Sequence, residues 1–212
     1  DMAMATFESL LQIHPNDASV LIQLAEIYLL NDLPSQVEKY ANKALNAHSN
    51  NPEIVGWYIA MQKCMTSKEQ IQQKLGELIV IHPNSLSLKK AFIETNLSIG
   101  QTQTAQDVLL NVVQSDIGLS ETDRIEFVQF ALESNSLDIA TRLIDAGGDT
   151  FKFPVMLLVH YVTCLMAEQQ YGLAAMLIEG NDNANRDCRL VHVLEADCRY
   201  YLKQYERAKD IL

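Results

Sequence analysis

The sequence predicts an all-α fold, a solenoid of antiparallel helix pairs running through all 212 residues. Three observations carry this. The tetrapeptide Ile-His-Pro-Asn stands at Ile13 to Asn16 and again at Ile81 to Asn84, 68 residues apart, which is twice 34. A small or branched apolar residue recurs as Ala3, Val37, Ile71, Ala105, Ala140, Ala174 and Ala208, in steps of 34, 34, 34, 35, 34 and 34. Self-similarity at such a period marks a stacked array of helical units. The longest apolar stretch, Val155 to Ala167, is shorter than the roughly 20 residues that span a bilayer. It is interrupted by His160, Thr163 and Cys164, and reads as a helix buried in protein.

Each element follows from this period. Four residues after each small position comes another apolar one, Phe7, Ala41, Leu75, Leu109, Ile144, Ile178 and Leu212. Spacing i, i+4 puts the pair on one face of a helix. Twelve residues before the small position lies a second column, Ala25, Ile59, Ile93, Val128, Val162 and Ala196. Leu24, Tyr58, Phe92, Phe127 and Tyr161 precede its members, which supplies the stripe of a preceding helix. Neither helix can bury its stripe alone, so stacking joins the faces into one core. Helices are expected near 2–13, 18–31, 35–47, 52–65, 68–81, 86–99, 102–115, 121–133, 137–146, 154–168, 171–179, 188–202 and 205–212. Asn51 before Pro52, and Pro154, read as helix starts. Ser120-Glu121-Thr122-Asp123 resembles a capping box. Gly100, Gly147-Gly148 and Gly180 fall where helices should stop.

Counting from the period, 1–17 is a partial repeat, followed by repeats 18–51, 52–85, 86–120, 121–154 and 155–188 and a partial repeat 189–212, all in one array. The additional residue of the 35-residue step falls near Ile117 to Ser120, and Asn181 to Asp187 reads as a polar loop. Half-repeats at both ends predict a fragment that continues in both directions, with Met4, Leu11 and Ile211 partly exposed or covered by another chain.

Leu21, Leu24-Ala25 and Tyr28, then Ala44 and Asn50-Asn51, together with Tyr171-Gly172-Leu173-Ala174 and Tyr205-Glu206-Arg207-Ala208, resemble the tetratricopeptide repeat family. The resemblance covers the chain, and it implies a right-handed superhelical solenoid whose first helices line a concave groove. Departures from the family pattern are Ile or Val at the small first-helix position of four repeats, and a repeat-end Pro only at 15 and 83. One branch of the family clamps a C-terminal carboxylate with two Lys, two Asn and an Arg. Those places hold Ile22, Glu26, Trp57, Ser87 and Ala91 here, so that clamp is missing.

Charge narrows the partner. With 16 Lys+Arg against 27 Asp+Glu the net charge is −11, spread along the chain, which repels phosphate backbones and anionic membranes. No phosphate loop, dinucleotide fingerprint, nucleophile elbow or zinc-helix motif appears, so neither catalysis nor a cofactor is expected. His160 with Cys164, and Cys188 with His192, have i, i+4 spacing but lack the four ligands of a structural zinc site. They read as packing residues. Cysteines at 64, 164, 188 and 198, with no Cys-x-x-Cys, favour a reducing compartment such as the cytoplasm over a periplasm. His14 and His82 are read as surface residues at helix ends, and Trp57 as a packing residue between repeats.

In the family's register the groove positions are Ser19, Ile22, Glu26, Leu29, Leu30; Glu53, Gly56, Ala60, Lys63, Cys64; Ser87, Lys90, Glu94, Leu97, Ser98; and Thr122, Ile125, Gln129, Leu132, Glu133. The last repeats supply the candidate partner-binding residues Met156, Val159, Thr163, Met166, Leu190, Val193, Asp197, Tyr200 and Tyr201, with Ala167 beside them. The groove thus turns from mixed polar to apolar. The function expected is a protein-interaction scaffold or adaptor taking an apolar peptide or helix. Two other readings share the fold: a segment of a larger enzyme or envelope-assembly protein, and a homodimer stacked through the solenoid ends.

Overall fold

In a computed structural model of the chain, the described residues are 2–115, 118–148, 151–181 and 188–212. Among them are thirteen α-helices and no strand. The side chain of Ala3, the insertion point at Ile117 and residues 182–187 of the expected polar loop lie outside this description. The chain divides into two compact units, Asp1–Gln101 and Thr102–Leu212, and the boundary falls between the two helices of the expected repeat 86–120.

The first unit holds α1 (Met2–Ile13), α2 (Ala18–Leu30), α3 (Pro34–Ala47), α4 (Pro52–Lys63), α5 (Lys68–Ile81) and α6 (Leu86–Ser98). Their starts are set by side chains that accept from otherwise orphan amides: Asp17 from Val20, Asn51 from Glu53 and Ser85 from Leu88. Ser67 and Gln70 form a full capping box with bonds of 3.4 and 3.2 Å. The second unit holds α7 (Thr102–Gln114), α8 (Glu121–Glu133), α9 (Leu137–Asp145), α10 (Val155–Ala167), α11 (Tyr171–Gly180), α12 (Arg189–Tyr201) and α13 (Tyr205–Ile211). Ser120 caps α8 through the Asp123 amide at 3.1 Å. Pro154 takes the N-cap itself and not the first helical position, with φ −58° and ψ 141°, because α10 begins at Val155.

Most positions of the periodic columns form the core, while Phe7, Ile59 and Ile144 are half-buried. Val37, Ala105, Ala140 and Ala174 are fully buried, and Ile71 and Ala208 nearly so. Leu24, Ala25, Ile93, Phe127, Val128 and Val162 close the matching stripe of the first helices. Three expectations are corrected. Leu212 is 84% exposed, so the i+4 partner of Ala208 does not pack. Leu11 is 8% exposed instead of open, since its face of α1 lies on α2. Leu132, a groove position in the repeat register, is 2% exposed; it turns inward beside Leu137 and Cys164 at a cavity of about 90 Å³.

The turn inside each repeat has its own period. Asp32, Gly100, Asn135, Gln169 and Lys203 all have φ between 53° and 77°. In each case the next residue's amide bonds five residues back, as in Leu33 to Tyr28, Gln101 to Asn96 and Gln170 to Leu165, which is the Schellman closure of a helix end. The equivalent position in the second complete repeat is Thr66, which is absent from the left-handed set. A β-branched side chain resists that conformation. Thr66 instead bonds the Gln62 carbonyl with both its amide (2.8 Å) and its hydroxyl (3.1 Å).

Candidate partner-binding surface

In the first unit the exposed side of the first helices is mixed: Ser19, Glu53, Lys63 and Glu94 share it with Leu30, which is 85% exposed. The Trp57 indole N–H donates to Glu26 Oε1 at 3.1 Å across two repeats, and the ring is half-buried, in keeping with a packing role between repeats. Behind it, Lys74 Nζ bridges Glu38 Oε1 at 2.6 Å and Gln62 Oε1 at 3.3 Å, and the Tyr58 hydroxyl donates to Asn42 at 3.0 Å. Burial pushes the Tyr58 hydroxyl up to about 12, with the charges of Glu38 and Glu77 adding to it. Gln62 is fully buried, and its amide nitrogen has no partner.

Sequence reasoning missed a histidine. His48 stands 34 residues after His14 and 34 before His82. Its Nε2 lies 2.7 Å from the Asn16 carbonyl, and His82 Nε2 lies 3.4 Å from Asn46 Oδ1. Ser85 donates to the Ser49 carbonyl at 2.5 Å and Ser87 to the Asn50 carbonyl at 3.2 Å. These bonds stitch the end of one repeat to the next, so His14 is exposed while His82 is half-buried. The signal available was His-x-Asn at 14, 48 and 82, hidden because Ala47 and Ser49 replace Ile and Pro in the middle copy.

In the second unit the side chains differ. Helix α10 contains no Lys, Arg, Asp or Glu and packs against α8 on one side and α12 on the other. Leu157, Leu158, Tyr161, Val162 and Leu165 face inward. The opposite face presents Met156 at 73% exposure, with Thr163 exposed and Val159 and Met166 half-buried. On α12, Val191, Ala196, Cys198 and Arg199 are buried, while Leu190, Val193, Asp197, Tyr200 and Tyr201 are exposed. Spacing of three and four residues keeps each exposed set on one face of its helix. All nine candidate residues therefore lie on the outer faces of two neighbouring first helices.

Four tyrosines close one end of this surface. Tyr171 stacks on Tyr201 with centroids 4.5 Å apart, Tyr200 meets Tyr201 edge-on at 5.9 Å, and Tyr200 meets Tyr205 at 5.4 Å. Beneath them the buried Arg199 is held by Glu179 of the preceding repeat, by Glu195 and by Gln204 at 3.1 Å, so its charge is already paired. Around His160 with Cys164 and Cys188 with His192, among the described residues no group of three or more His, Cys, Asp or Glu is placed to hold an ion. Burial pushes the Cys164 thiol up, and it pushes that of Cys198 to about 11 with help from Asp197, so neither is an activated thiolate. Among the described residues no helix is long and apolar enough to cross a membrane.

Neither a family model nor a curated protein matches this sequence. Solved structures do resemble it. One comes from the functional characterisation of Pseudomonas aeruginosa pilF, with 15% identity and a TM-score of 0.50, covering 90% of this chain and 86% of that one. Another is the TPR domain of P58(IPK), with 13% identity and a TM-score of 0.37, covering 95% of this chain and 60% of that one. The first likeness and the helix-pair period agree: this is a tetratricopeptide-like, all-α helical repeat.

Proposed function

We propose that the chain is a non-catalytic interaction module and that it binds an apolar segment of another protein on the outer faces of α10 and α12. The observation that supports this most is the amount of apolar side chain left in water there. Met156, Leu190, Val193, Tyr200 and Tyr201 are between 37% and 73% exposed on two adjacent helices whose inner faces are already buried. A contiguous patch of this kind marks an interaction surface more often than a neutral one. Methionine adapts its unbranched chain to irregular partners, and tyrosine offers large area with a polar tip.

The double variant Met156→Glu with Tyr200→Lys tests it. Both side chains are exposed and Tyr200 gives up only its edge contacts to Tyr201 and Tyr205, so helix content stays as in the parent and melting falls little while capture of the partner is lost. Capture that survives with the fold intact places the binding surface elsewhere.

A further inference from the structure

We infer that the segment seated on α10 and α12 is cationic at one end, with its apolar side chains on Met156, Leu190 and Val193 and a Lys or Arg over Tyr200 and Tyr201. This rests on the proposed partner surface and adds the chemistry of the partner. The residues fall into an order along the two helices. Apolar groups occupy the N-terminal half, from Met156 on α10 and from Leu190 on α12. The C-terminal ends carry exposed rings and carboxylates: Glu168 caps α10, Asp197 lies one turn before the tyrosine pair on α12, and Glu133 ends α8.

Neither Glu168 nor Asp197 has an ion-pair partner among the described residues, whereas Arg199, two residues from Asp197, is buried and already bridged to Glu179. The exposed bases flank the surface instead of filling it: Arg189 begins α12 and Lys203 sits in the left-handed turn after it. The wider field has the same sign. Residues 102–212 hold 9 Lys+Arg against 17 Asp+Glu, while residues 1–101 hold 7 against 10. A cation over an exposed tyrosine face gains from the ring quadrupole, and a carboxylate one turn away adds charge attraction, so the two features select the same group. An acidic or phosphorylated segment meets repulsion at the same end.

The test is selection of random linear peptides on the immobilised intact chain, with counter-selection on the Met156→Glu variant. Retained peptides are then titrated against the parent and against Asp197→Lys by fluorescence anisotropy. The expected result is peptides with apolar residues and net positive charge that weaken by roughly tenfold on Asp197→Lys, as reversal of an interfacial charge does. They should weaken again as salt rises from about 0.05 to 0.5 M, because exposed pairs are screened. Peptides that depend on Met156 but are neutral or acidic, or that ignore Asp197→Lys, overturn the cationic partner while leaving the proposed surface standing. If no peptide depends on Met156, the surface itself is wrong. Dimerisation in sedimentation that Met156→Glu abolishes puts a second copy on the outer faces of α10 and α12 and overturns the cationic segment as occupant.

Discussion

Among the described residues, the exposed side of the first helices in residues 1–101 carries Ser19, Glu53, Lys63 and Glu94 with a single large exposed apolar side chain, Leu30, and its one tryptophan donates a hydrogen bond to Glu26. The same side of α10 and α12 in residues 102–212 carries Met156, Leu190, Val193, Tyr200 and Tyr201, and its one buried arginine is turned inward to Glu179. Both units use the same helix pair and the same column of small buried residues. What differs is the outer face. Both units bond between repeats, the first in the His48 to Asn16 and Lys74 to Glu38 bonds and the second in the Thr141 to Tyr161 and Arg199 to Glu179 bonds, but only the second leaves the outer faces of two adjacent first helices, α10 and α12, largely apolar. Shared cores with divergent faces are what a repeat fold allows, since each unit needs only its neighbours to be stable.

The largest effects expected concern the shared core. Ala41 in the first unit and Ala174 in the second are both fully buried between helices. Ala41→Phe and Ala174→Phe should each destabilise by about 1–3 kcal/mol in chemical denaturation, through overpacking. A change of a few tenths at either site shows that the buried column it belongs to, the i+4 column for Ala41 and the small-residue column for Ala174, is not the packing core of that unit, and the comparison loses its common term.

Turn variants sharpen the contrast next. Gln169, at φ 59°, bears the strain of an L-residue in the left-handed region. Relieving it with Gln169→Gly should stabilise by up to about 1 kcal/mol, after the entropy of glycine is subtracted. Thr66→Gly should instead destabilise by about 0.5–1 kcal/mol, because Thr66 holds no left-handed angle and its hydroxyl bond to Gln62 is lost. Equal gains at both sites would mean that the first unit's irregular turn is not irregular.

An effect that is absent at neutral pH and grows only at alkaline pH separates the buried polar network of the first unit. With the Tyr58 hydroxyl pushed up to about 12, the folded state holds that proton more tightly than the unfolded chain, whose tyrosines ionise near about 10. The associated stability is complete below about pH 10 and drains away as the pH rises toward about 12. Tyr58→Phe should flatten this alkaline loss, read as the difference between denaturation midpoints at neutral and at high pH. An unchanged slope would show that Tyr58 is not the group responsible.

The helices, their order and the buried columns were legible because they obey a period, and a period survives when individual residues drift. Val37, Ile71 and Ala105 share a position without sharing a residue. The turns were not legible in the same way. Asp32, Gly100, Asn135, Gln169 and Lys203 meet one backbone requirement with five different side chains, so only the glycine announced it. Burial at helix ends was also hidden: Leu132 and Leu29 share one register position near the close of a first helix, yet Leu132 is 2% exposed and Leu29 half-buried, because their neighbours differ. Of the candidate surface, the residue list was readable from the repeat register. The ring stack of Tyr171 on Tyr201 and the inward turn of Arg199 needed three dimensions.

The central claim, that the partner sits on the second unit's apolar face, is tested most directly by a paired capture experiment. The parent chain, Met156→Glu with Tyr200→Lys, and Lys63→Glu on the exposed face of α4 are compared for retention of one partner, with circular dichroism verifying that all three stay helical. Loss of capture in the second-unit variant alone is the predicted result. Capture that persists in that variant, or that falls equally with Lys63→Glu, contradicts the assignment of binding to α10 and α12.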